Sequence, residues 1–294
     1  IMSSDWSSDV CSSDLFLNER IPEPETLYDD YANRSAAAAE AAMRLGRDSR
    51  PTDLDASIPH WMEEDELRSW AYQRYIKKYL RVVASIDDNV GRLLDRLDEM
   101  DLSDDTIVIY TSDQGFFLGD HGWYDKRFMY EESLRMPFIV RYPREIPAHT
   151  TCDDICLNVD IAPTFLDYAG VECPPEFQGR SCRAVWRKQT PADWRESLYY
   201  RYWMHDGFHL VRAHYGVRTK THKLICYYND GLGQPGSRDE TFPVEWELFD
   251  LVKDPREMHS FHDDPAYADI QRQLKSELSR LQQQLGDEPY VGRT

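Results

Sequence analysis

The stretch TIVIYTSDQGFFLGDHGWYDK, residues 106–126, joins an apolar run to a segment rich in charge and glycine. Its opening letters, TIVIY, are mostly β-branched, and they predict a buried strand. In open α/β sheets, ligands collect at the carboxyl ends of the strands. We therefore expect a ligand site where this strand ends.

The residues that follow the strand have side chains that could bind a metal ion and an anion. Asp113 supplies a carboxylate and Gln114 an amide oxygen, and such hard donors suit Ca²⁺ or Mg²⁺ better than zinc. The glycines of the loop permit sharp turns and close backbone approach. Lys126 could neutralise an anion held on the metal. The alternative for Asp113 alone is an ordinary turn or cap residue.

The flanking sequence predicts α/β architecture. Residues 70–100 place apolar side chains at helical spacing on one stripe, which indicates a long helix. A continuous apolar strand after a helix favours a parallel sheet covered on both faces, and residues 136–143 predict a second buried strand. Residues 159–170 predict a helix with Asp160 at the N-cap, Pro163 in the first turn and Gly170 just after the end.

The residue pattern of the sequence changes after about residue 190. Short aromatic and β-branched segments, SLYYRYW, HYGVRT, HKLICYY and EWELFDL, predict an antiparallel sheet. Residues 266–285 place five aliphatic side chains on one face of an amphipathic closing helix. The expected fold class is therefore α/β, with a C-terminal antiparallel sheet plus helix as a subdomain.

Composition excludes some partners. The 294-residue chain carries 34 Lys plus Arg against 53 Asp plus Glu, a net charge of −19, which repels nucleic acid. No apolar run is long enough to predict a membrane span. An anionic substrate would need a local cationic pocket.

Two features of the sequence remain open. Residues 1–15 repeat Ser-Ser-Asp three times, and we interpret them as a non-native or disordered tail. Beyond Cys11, the five cysteines form no CxxC pair and no zinc-type spacing. Small buried hydrophobes are the favoured interpretation, although Cys152 and Cys156 could share a helix face or pair with other cysteines.

The segment 113–126 matches the pattern Asp-x-Gly-x-x-x-Gly-x-His-Gly-x-x-x-Lys, and so resembles the sulfatase family of the alkaline-phosphatase-like superfamily. The blocks YEESLRMPFIVRYP, VDIAPTFLDYAG, FQGRS, HYGVRTKTHKLI and WELFDLVKDPREM resemble later parts of that family in the same order. The last two are similar to the group related to N-sulfoglucosamine sulfohydrolase and bacterial glycan sulfatases. The resemblance extends from about residue 16 to 285, and implies a partial alkaline-phosphatase-like sandwich over 16–190 followed by the subdomain 191–294.

The resemblance implies roles for individual residues. Asp113 and Gln114 would bind Ca²⁺, with Mg²⁺ possible, although Asn or His is more usual in the family at the second position. Lys126 would contact the sulfate as a catalytic cation. His121 would contact substrate or fix the loop by a hydrogen bond. His214 would bind substrate or serve as a structural histidine at the sheet edge.

The family nucleophile is a formylglycine made from Cys or Ser in the motif Cys/Ser-x-Pro-x-Arg. The sequence does not contain this motif, because the segments that start at Cys173, Ser49 and Ser57 lack the Arg. The paired Asp residues that complete the metal site precede that motif in the family. The resemblance therefore implies the C-terminal part of a sulfatase, inactive as given.

Rival functions are a phosphodiesterase or phosphatase-type metalloenzyme of the same superfamily and a non-catalytic glycan-binding protein. The first usually binds two metals through more histidines than the one in the 113–126 loop. The expected partner is a sulfated glycan or another sulfate ester, with no nucleic acid and no membrane. The family implies a periplasmic, extracellular or lysosome-like location. The sugar, the sulfated position and the oligomeric state stay open.

Overall fold

The computed structural model describes residues 15–292, so nearly all of the predicted tail lies outside the described residues. The described chain divides into two compact units. The first unit comprises residues up to 30, 42–106 and 116–126, and the second comprises 31–41, 107–115 and the chain from 127 onward. The division at residue 190 stays a prediction.

Helices and strands follow one another in short runs, in a mixed α/β order. The helices are α1 (Ala36–Ala39), α2 (Pro51–Leu54), α3 (Glu64–Glu99), α4 (Glu131–Leu134), α5 (Ile161–Ala169), α6 (Arg183–Trp186) and α7 (Ala268–Leu285). The strands are β1 (Val108–Thr111), β2 (Phe117–Leu118), β3 (Tyr124–Asp125), β4 (Phe138–Arg141), β5 (Ser197–Tyr202), β6 (His214–Thr219), β7 (His222–Tyr227) and β8 (Glu245–Asp250). Among the described residues no helix is long and apolar enough to cross a membrane.

Helix α3 is the longest element and confirms the predicted helix, with a start six residues earlier. Three acidic residues open its first turn, where they favour the positive end of the helix dipole. The first half buries Ala71, Tyr72 and Ile76, but the apolar stripe is exposed further along. Val82 is 51% exposed and Leu93 is 55% exposed. Only the first half of the stripe therefore contributes to a core.

The first unit is completed by a hairpin. Strands β2 and β3 pair antiparallel, with Phe117 opposite Asp125 and Leu118 opposite Tyr124. The core of this unit packs the hairpin and the first half of α3 against the chain that precedes α3. Its buried members are Leu27, Leu45, Leu54, Ala71, Tyr72, Ile76 and Tyr124.

The small sheet of the second unit corrects the prediction of a parallel sheet covered on both faces. Strands β1 and β4 pair antiparallel, and Ile109 lies opposite Val140. Ile109, Phe138 and Val140 pack against the cluster around Trp186, whereas Ile139 is 64% exposed. Alternate side chains of a strand point to opposite faces, so one face of this sheet is covered and the other is open. An apolar run alone does not reveal strand direction.

The C-terminal sheet confirms the prediction for that region. Strands β5 to β8 form an antiparallel meander in sequence order, and α7 packs across it. The predicted helix is confirmed, beginning at Ala268 after a short 3₁₀ turn over Pro265–Tyr267. The core of the subdomain joins Leu274, Leu278 and Leu281 of the helix to the alternating apolar residues of the strands.

Helix α5 has the predicted boundaries. Asp160 occupies the N-cap position, and Gly170 ends the helix in the left-handed region at φ 68°. The Asp160 carboxylate does not cap α5, however. Its oxygens accept from the backbone N–H groups of Leu157 and Arg180, at 2.7 and 2.8 Å, and pair with Arg195. The carboxylate thus ties α5 to two neighbouring segments.

Candidate functional site

The strand-end residues of the second unit are Asp113 and Gln114. Both follow β1, and both line a cleft of about 1900 Å³ in that unit. Asp113 is exposed, and the Ser112 hydroxyl donates to its Oδ1 at 3.2 Å. The Asn158 amide donates to the Asp113 backbone carbonyl at 3.4 Å. A carboxylate and an amide therefore lie side by side in the lining of an open cleft, although β1 pairs antiparallel with β4 and is not the parallel strand to which the strand-end rule applies.

Gly115 confirms that the loop needs glycine for close approach. Its backbone N–H donates to the Ser133 carbonyl at 2.8 Å. A Cβ atom here would lie 2.0 Å from the Glu132 carbonyl oxygen and 2.3 Å from that of Arg135. Any side chain would collide with backbone, which cannot rotate away. The glycine thereby fixes the loop that carries the two oxygen donors against α4.

Lys126 and His121 lie in the first unit, on the hairpin of β2 and β3. The Lys126 side chain is half-buried, and its Nζ lies 6.0 Å from the centre of the Phe116 ring. No ion pair of Lys126 occurs among residues 15–292. The contact of Lys126 with a substrate anion stays a prediction.

His121 is fully buried inside the same hairpin. Its Nδ1–H donates to Asp29 Oδ2 at 2.9 Å, and its backbone N–H donates to Thr26 Oγ1 at 3.0 Å. The ring also packs against Phe117 and Trp123. The backbone of His121 has φ 55°, an uncommon conformation outside glycine. This arrangement supports the positioning role, and the substrate contact of His121 stays a prediction.

His214 begins strand β6 in the second unit and is fully buried. Its Nδ1–H donates to the Arg212 carbonyl at 2.8 Å, and the ring lies 5.2 to 5.9 Å from the rings of Phe128, Tyr200, Tyr202 and Tyr227. Burial lowers the pKa of His214 to about 4, so the ring is neutral at physiological pH. These contacts are those of a structural histidine, and its substrate contact stays a prediction.

Metal ligation can be judged from the donors present. Within the part of the chain that the structure describes, no group of three or more His, Cys, Asp or Glu side chains could hold a metal ion. Asp113 and Gln114 supply oxygen donors of the type that Ca²⁺ and Mg²⁺ take, but Ca²⁺ needs six to eight oxygens. The pair fits part of a hard-cation site and does not complete one.

Sequence reasoning did not find a buried ionic cluster in the second unit. Lys223 on β7 is fully buried, with its ammonium 2.9 Å from Glu131 and 2.6 Å from Glu257. Arg218 pairs with the same Glu131 at 2.9 Å. The sequence signal for this cluster is a lysine inside the strand segment HKLICYY, whose apolar residues lie in the core.

Two family models match the chain. The model described as Sulfatase matches residues 18–171, and the model described as N-sulphoglucosamine sulphohydrolase, C-terminal, matches residues 119–284. Together these matches cover the strand-end loop and the C-terminal sheet. Their order along the chain is the order that the sequence motifs predict.

Individual relatives agree with the family models. The N-acetylglucosamine-6-O-sulfatase of Bacteroides thetaiotaomicron is 40% identical over 93% of this chain and 54% of that protein. The multifunctional alkaline phosphatase superfamily protein PehA of Trinickia caryophylli is 31% identical over 66% of this chain and 37% of that protein. The chain thus spans about half the length of the first of these relatives, and less of the second.

A solved structure has the same fold. The structure of BT4656 in complex with its substrate D-glucosamine-2-N,6-O-disulfate superposes with a TM-score of 0.80 at 39% identity, over 92% of this chain and 61% of that one. The mixed α/β arrangement with antiparallel sheets is therefore the alkaline-phosphatase-like fold. With the family models, the strand-end motif and this fold in agreement, the chain belongs to the sulfatase family.

Proposed function

We propose that this chain is the C-terminal part of a sulfuric ester hydrolase that acts on sulfated glucosamine-containing glycans. The observation that carries the proposal is the adjacent pair Asp113 and Gln114 in the lining of the cleft, inside a sulfatase motif. Support for the substrate class comes from a relative named for N-acetylglucosamine 6-O-sulfate and from a neighbour solved with a disulfated glucosamine. The sulfated position and the choice between O- and N-sulfate are left open.

Each site residue has a role in this proposal. Asp113 and Gln114 bind Ca²⁺, or alternatively Mg²⁺, together with ligands from outside this chain. Asp113 and Gln114 would hold the metal beside the sulfate, where it would supply Lewis-acid polarisation of the sulfate oxygens. Lys126 binds a sulfate oxygen and stabilises the charge that develops as the ester bond breaks. His121 orients the hairpin that carries Lys126, and His121 and His214 remain proposed substrate contacts.

The chain alone is proposed to be inactive. The sequence has no Cys/Ser-x-Pro-x-Arg motif from which the formylglycine nucleophile is made, and a partial metal site with one lysine does not replace it. Residues 16–190 are proposed to belong to the catalytic α/β domain, and 191–294 to form the C-terminal subdomain. A periplasmic, extracellular or lysosome-like location is proposed by family analogy.

The test is sulfate release from an aryl sulfate and from glucosamine 6-sulfate. For the chain of 294 residues we expect no release above that of its Lys126→Ala variant. For a longer protein that also contains the nucleophile motif we expect turnover. Release by the 294-residue chain that disappears in the Lys126→Ala variant would refute the proposed inactivity.

Two rival functions are distinguished by the same proteins. The similarity to PehA favours assays with an aryl phosphodiester and an aryl phosphonate beside the sulfate ester. If the longer protein hydrolyses the phosphorus esters with the larger kcat/KM, the sulfatase proposal fails. Selective binding of a glycan on an array by a longer protein that hydrolyses none of these esters would establish the glycan-binding alternative instead.

A further inference from the structure

An exposed tryptophan lines the cleft of the second unit. Trp203 directly follows β5, and the residue is 45% exposed. Among the described residues, the other aromatic side chains in the lining of this cleft are buried or half-buried, and they are Phe138, Trp186, Trp194, Tyr199 and Tyr200. A large aromatic ring that is exposed inside a cleft, rather than on an open surface, is typical of a ligand site.

The Trp203 ring is held in place from one side. The Arg201 guanidinium lies over it, with Cζ 3.5 Å from the ring centre, which is a close cation–π contact. Arg201 also pairs with Asp287, and its side chain is only 7% exposed. The same guanidinium lies 5.6 Å from the ring centre of Tyr215 and 5.1 Å from that of Tyr228. A buried, ion-paired guanidinium therefore orients the indole and leaves the rest of its surface open to the cleft.

Trp203 ends a row of side chains that starts on β5. Tyr199 and Arg201 alternate along the strand and therefore share one of its faces. Both contact the carboxylate of Asp287, which follows the end of α7 at Leu285. Trp203 continues this row past the end of the strand. Its exposure shows that the segment around the end of α7, which covers the earlier members of the row, does not cover the indole.

The position of Trp203 connects it to the proposed substrate site. Tyr202 lies opposite His214 in the pairing of β5 with β6, and Trp203 is the next residue along the chain. Asp113 and Gln114 line the same cleft as Trp203. The inference rests on the proposed function in this respect, because a glycan with its sulfate at Asp113 would extend along the cleft that contains Trp203.

The groups on this wall of the cleft suit a sugar ring. A pyranose has hydroxyl groups at its edge and apolar C–H groups on its faces, so it can combine hydrogen bonds with contact to an aromatic surface. The charged side chains of β5 and α7 that line the cleft are paired, Arg201 with Asp287 and Arg280 with Glu277. Paired charges still bind hydroxyl groups, but they attract an additional anion less than a free cation does. This wall therefore favours a sugar ring over an isolated sulfate.

We propose that Trp203 is a sugar-binding platform, on which one pyranose ring of a glucosamine-containing glycan stacks through its C–H face. Arg201 is a positioning residue, since it holds the indole in the stacking orientation. The platform binds the glycan and takes no part in the cleavage of the sulfate ester. It therefore contributes to KM rather than to kcat.

NMR of the 294-residue chain tests the platform without catalysis. Isotope labelling shows the indole N–H signals of its eight tryptophans, and those of Trp203 and Trp61 are assigned by their loss in Trp203→Ala and Trp61→Ala. The probe is chitotetraose, a neutral tetrasaccharide of N-acetylglucosamine, and inorganic sulfate is the control ligand. We expect chitotetraose, but not sulfate, to shift the Trp203 signal. Trp61, which is 82% exposed outside this cleft, should respond to neither.

Substitutions separate stacking from a general loss of structure. Trp203→Ala should weaken chitotetraose binding about tenfold, whereas Trp203→Phe, which keeps an aromatic face, should retain most of it. Trp61→Ala should leave binding unchanged. The proposal is overturned if chitotetraose does not shift the Trp203 signal, if sulfate alone shifts it equally, or if Trp203→Ala binds chitotetraose as tightly as the unsubstituted chain. Equal losses in Trp203→Phe and Trp203→Ala would also contradict stacking.

Kinetics of the longer protein distinguish this proposal from the proposed function. With a 6-O-sulfated form of the same tetrasaccharide, Trp203→Ala should raise KM and leave kcat nearly unchanged. If the longer protein releases sulfate from this substrate with the same KM in both forms, the platform is refuted and the sulfatase function stands. If it releases no sulfate from any ester, the sulfatase function is refuted, while the NMR titration still decides whether Trp203 binds a sugar.

Discussion

Glu257 and Glu131 share Lys223 but differ in how they ionise. Burial raises the pKa of Glu257 to about 7, because Lys223 alone does not offset the loss of solvent. For Glu131 burial acts in the same direction, but Lys223 and Arg218 together lower its pKa to about 2. The Glu131 backbone N–H also donates to Glu257 Oε2 at 2.7 Å. Two cations lower the pKa of Glu131, whereas Glu257 has one cation and the nearby Glu131 charge raises its pKa further.

The raised pKa of Glu257 predicts a pH-dependent stability. The folded-state pKa of about 7 exceeds the ordinary value of 4.5, so this contribution is complete below pH 4.5 and is lost as the pH rises through 7. Between pH 5 and 8 the free energy of unfolding should fall by up to about 3 kcal/mol relative to that of Glu257→Gln. Urea unfolding of both proteins at several pH values measures this difference in free energy. Parallel pH profiles for the two proteins would contradict a raised pKa of Glu257.

Gly115 and Gly91 offer a matched pair of glycine substitutions. Gly115→Ala places a Cβ against two carbonyl oxygens and should lower the free energy of unfolding by roughly 2–4 kcal/mol. Gly91 lies inside α3, and a Cβ atom added there would have no neighbouring atom within 4 Å. Gly91→Ala should therefore raise the free energy of unfolding by about 0.5–1 kcal/mol. Equal effects in thermal unfolding would show that the close approach at Gly115 is not required.

Some residue roles could be predicted from sequence and others could not. The strand-end position of Asp113 and the glycine at 115 follow from motif and strand pattern. The burial of His214 does not, because a histidine in an aromatic segment gives no sign of which face it occupies. The partners of Lys223 are likewise hidden, since both glutamates are distant in sequence.

At the level of elements, Asp160 determines how the region around α5 is assembled. The carboxylate is fully buried and holds two backbone N–H groups and the Arg195 guanidinium. Asp160→Ala should cost roughly 3–5 kcal/mol of unfolding free energy, because it leaves a largely buried arginine unpaired. The control is Asp193→Ala, whose exposed pair with Arg180 should contribute less than about 1 kcal/mol. Similar unfolding midpoints for both variants would contradict this role.

Element type was predicted best where the periodicity is long. Helices α3 and α7 follow from the 3.6-residue spacing of apolar side chains, and the C-terminal strands follow from short aromatic segments. The direction of β1 relative to β4 did not follow, because an apolar run looks the same in either orientation. The sequence also did not reveal that half of the apolar stripe of α3 is exposed. An amphipathic pattern shows which residues share a helix face, but not which other element covers that face.

At the level of the whole molecule, the metal site is proposed to need ligands beyond those that residues 15–292 supply. With one carboxylate and one amide from the pair at the strand end, Ca²⁺ binding should be weak. Removal of metal by EDTA should therefore change the Tm of the 294-residue chain by less than about 1 °C. In a longer protein with the complete site the Tm should fall. A large drop for the chain alone would reveal a metal site elsewhere.

We propose that Lys126 binds the sulfate of the substrate and that Asp113 binds the metal. The most direct measurement is kcat/KM for sulfate release from a sulfated glucosamine by the longer protein, with Lys126→Ala compared with Lys77→Ala. We expect a loss of roughly 10²–10³-fold for Lys126→Ala and little change for Lys77→Ala, because Lys77 lies on α3, outside the motif 113–126, and donates to the Leu17 carbonyl. A Lys126→Ala enzyme within about twofold of the unsubstituted protein would contradict the account.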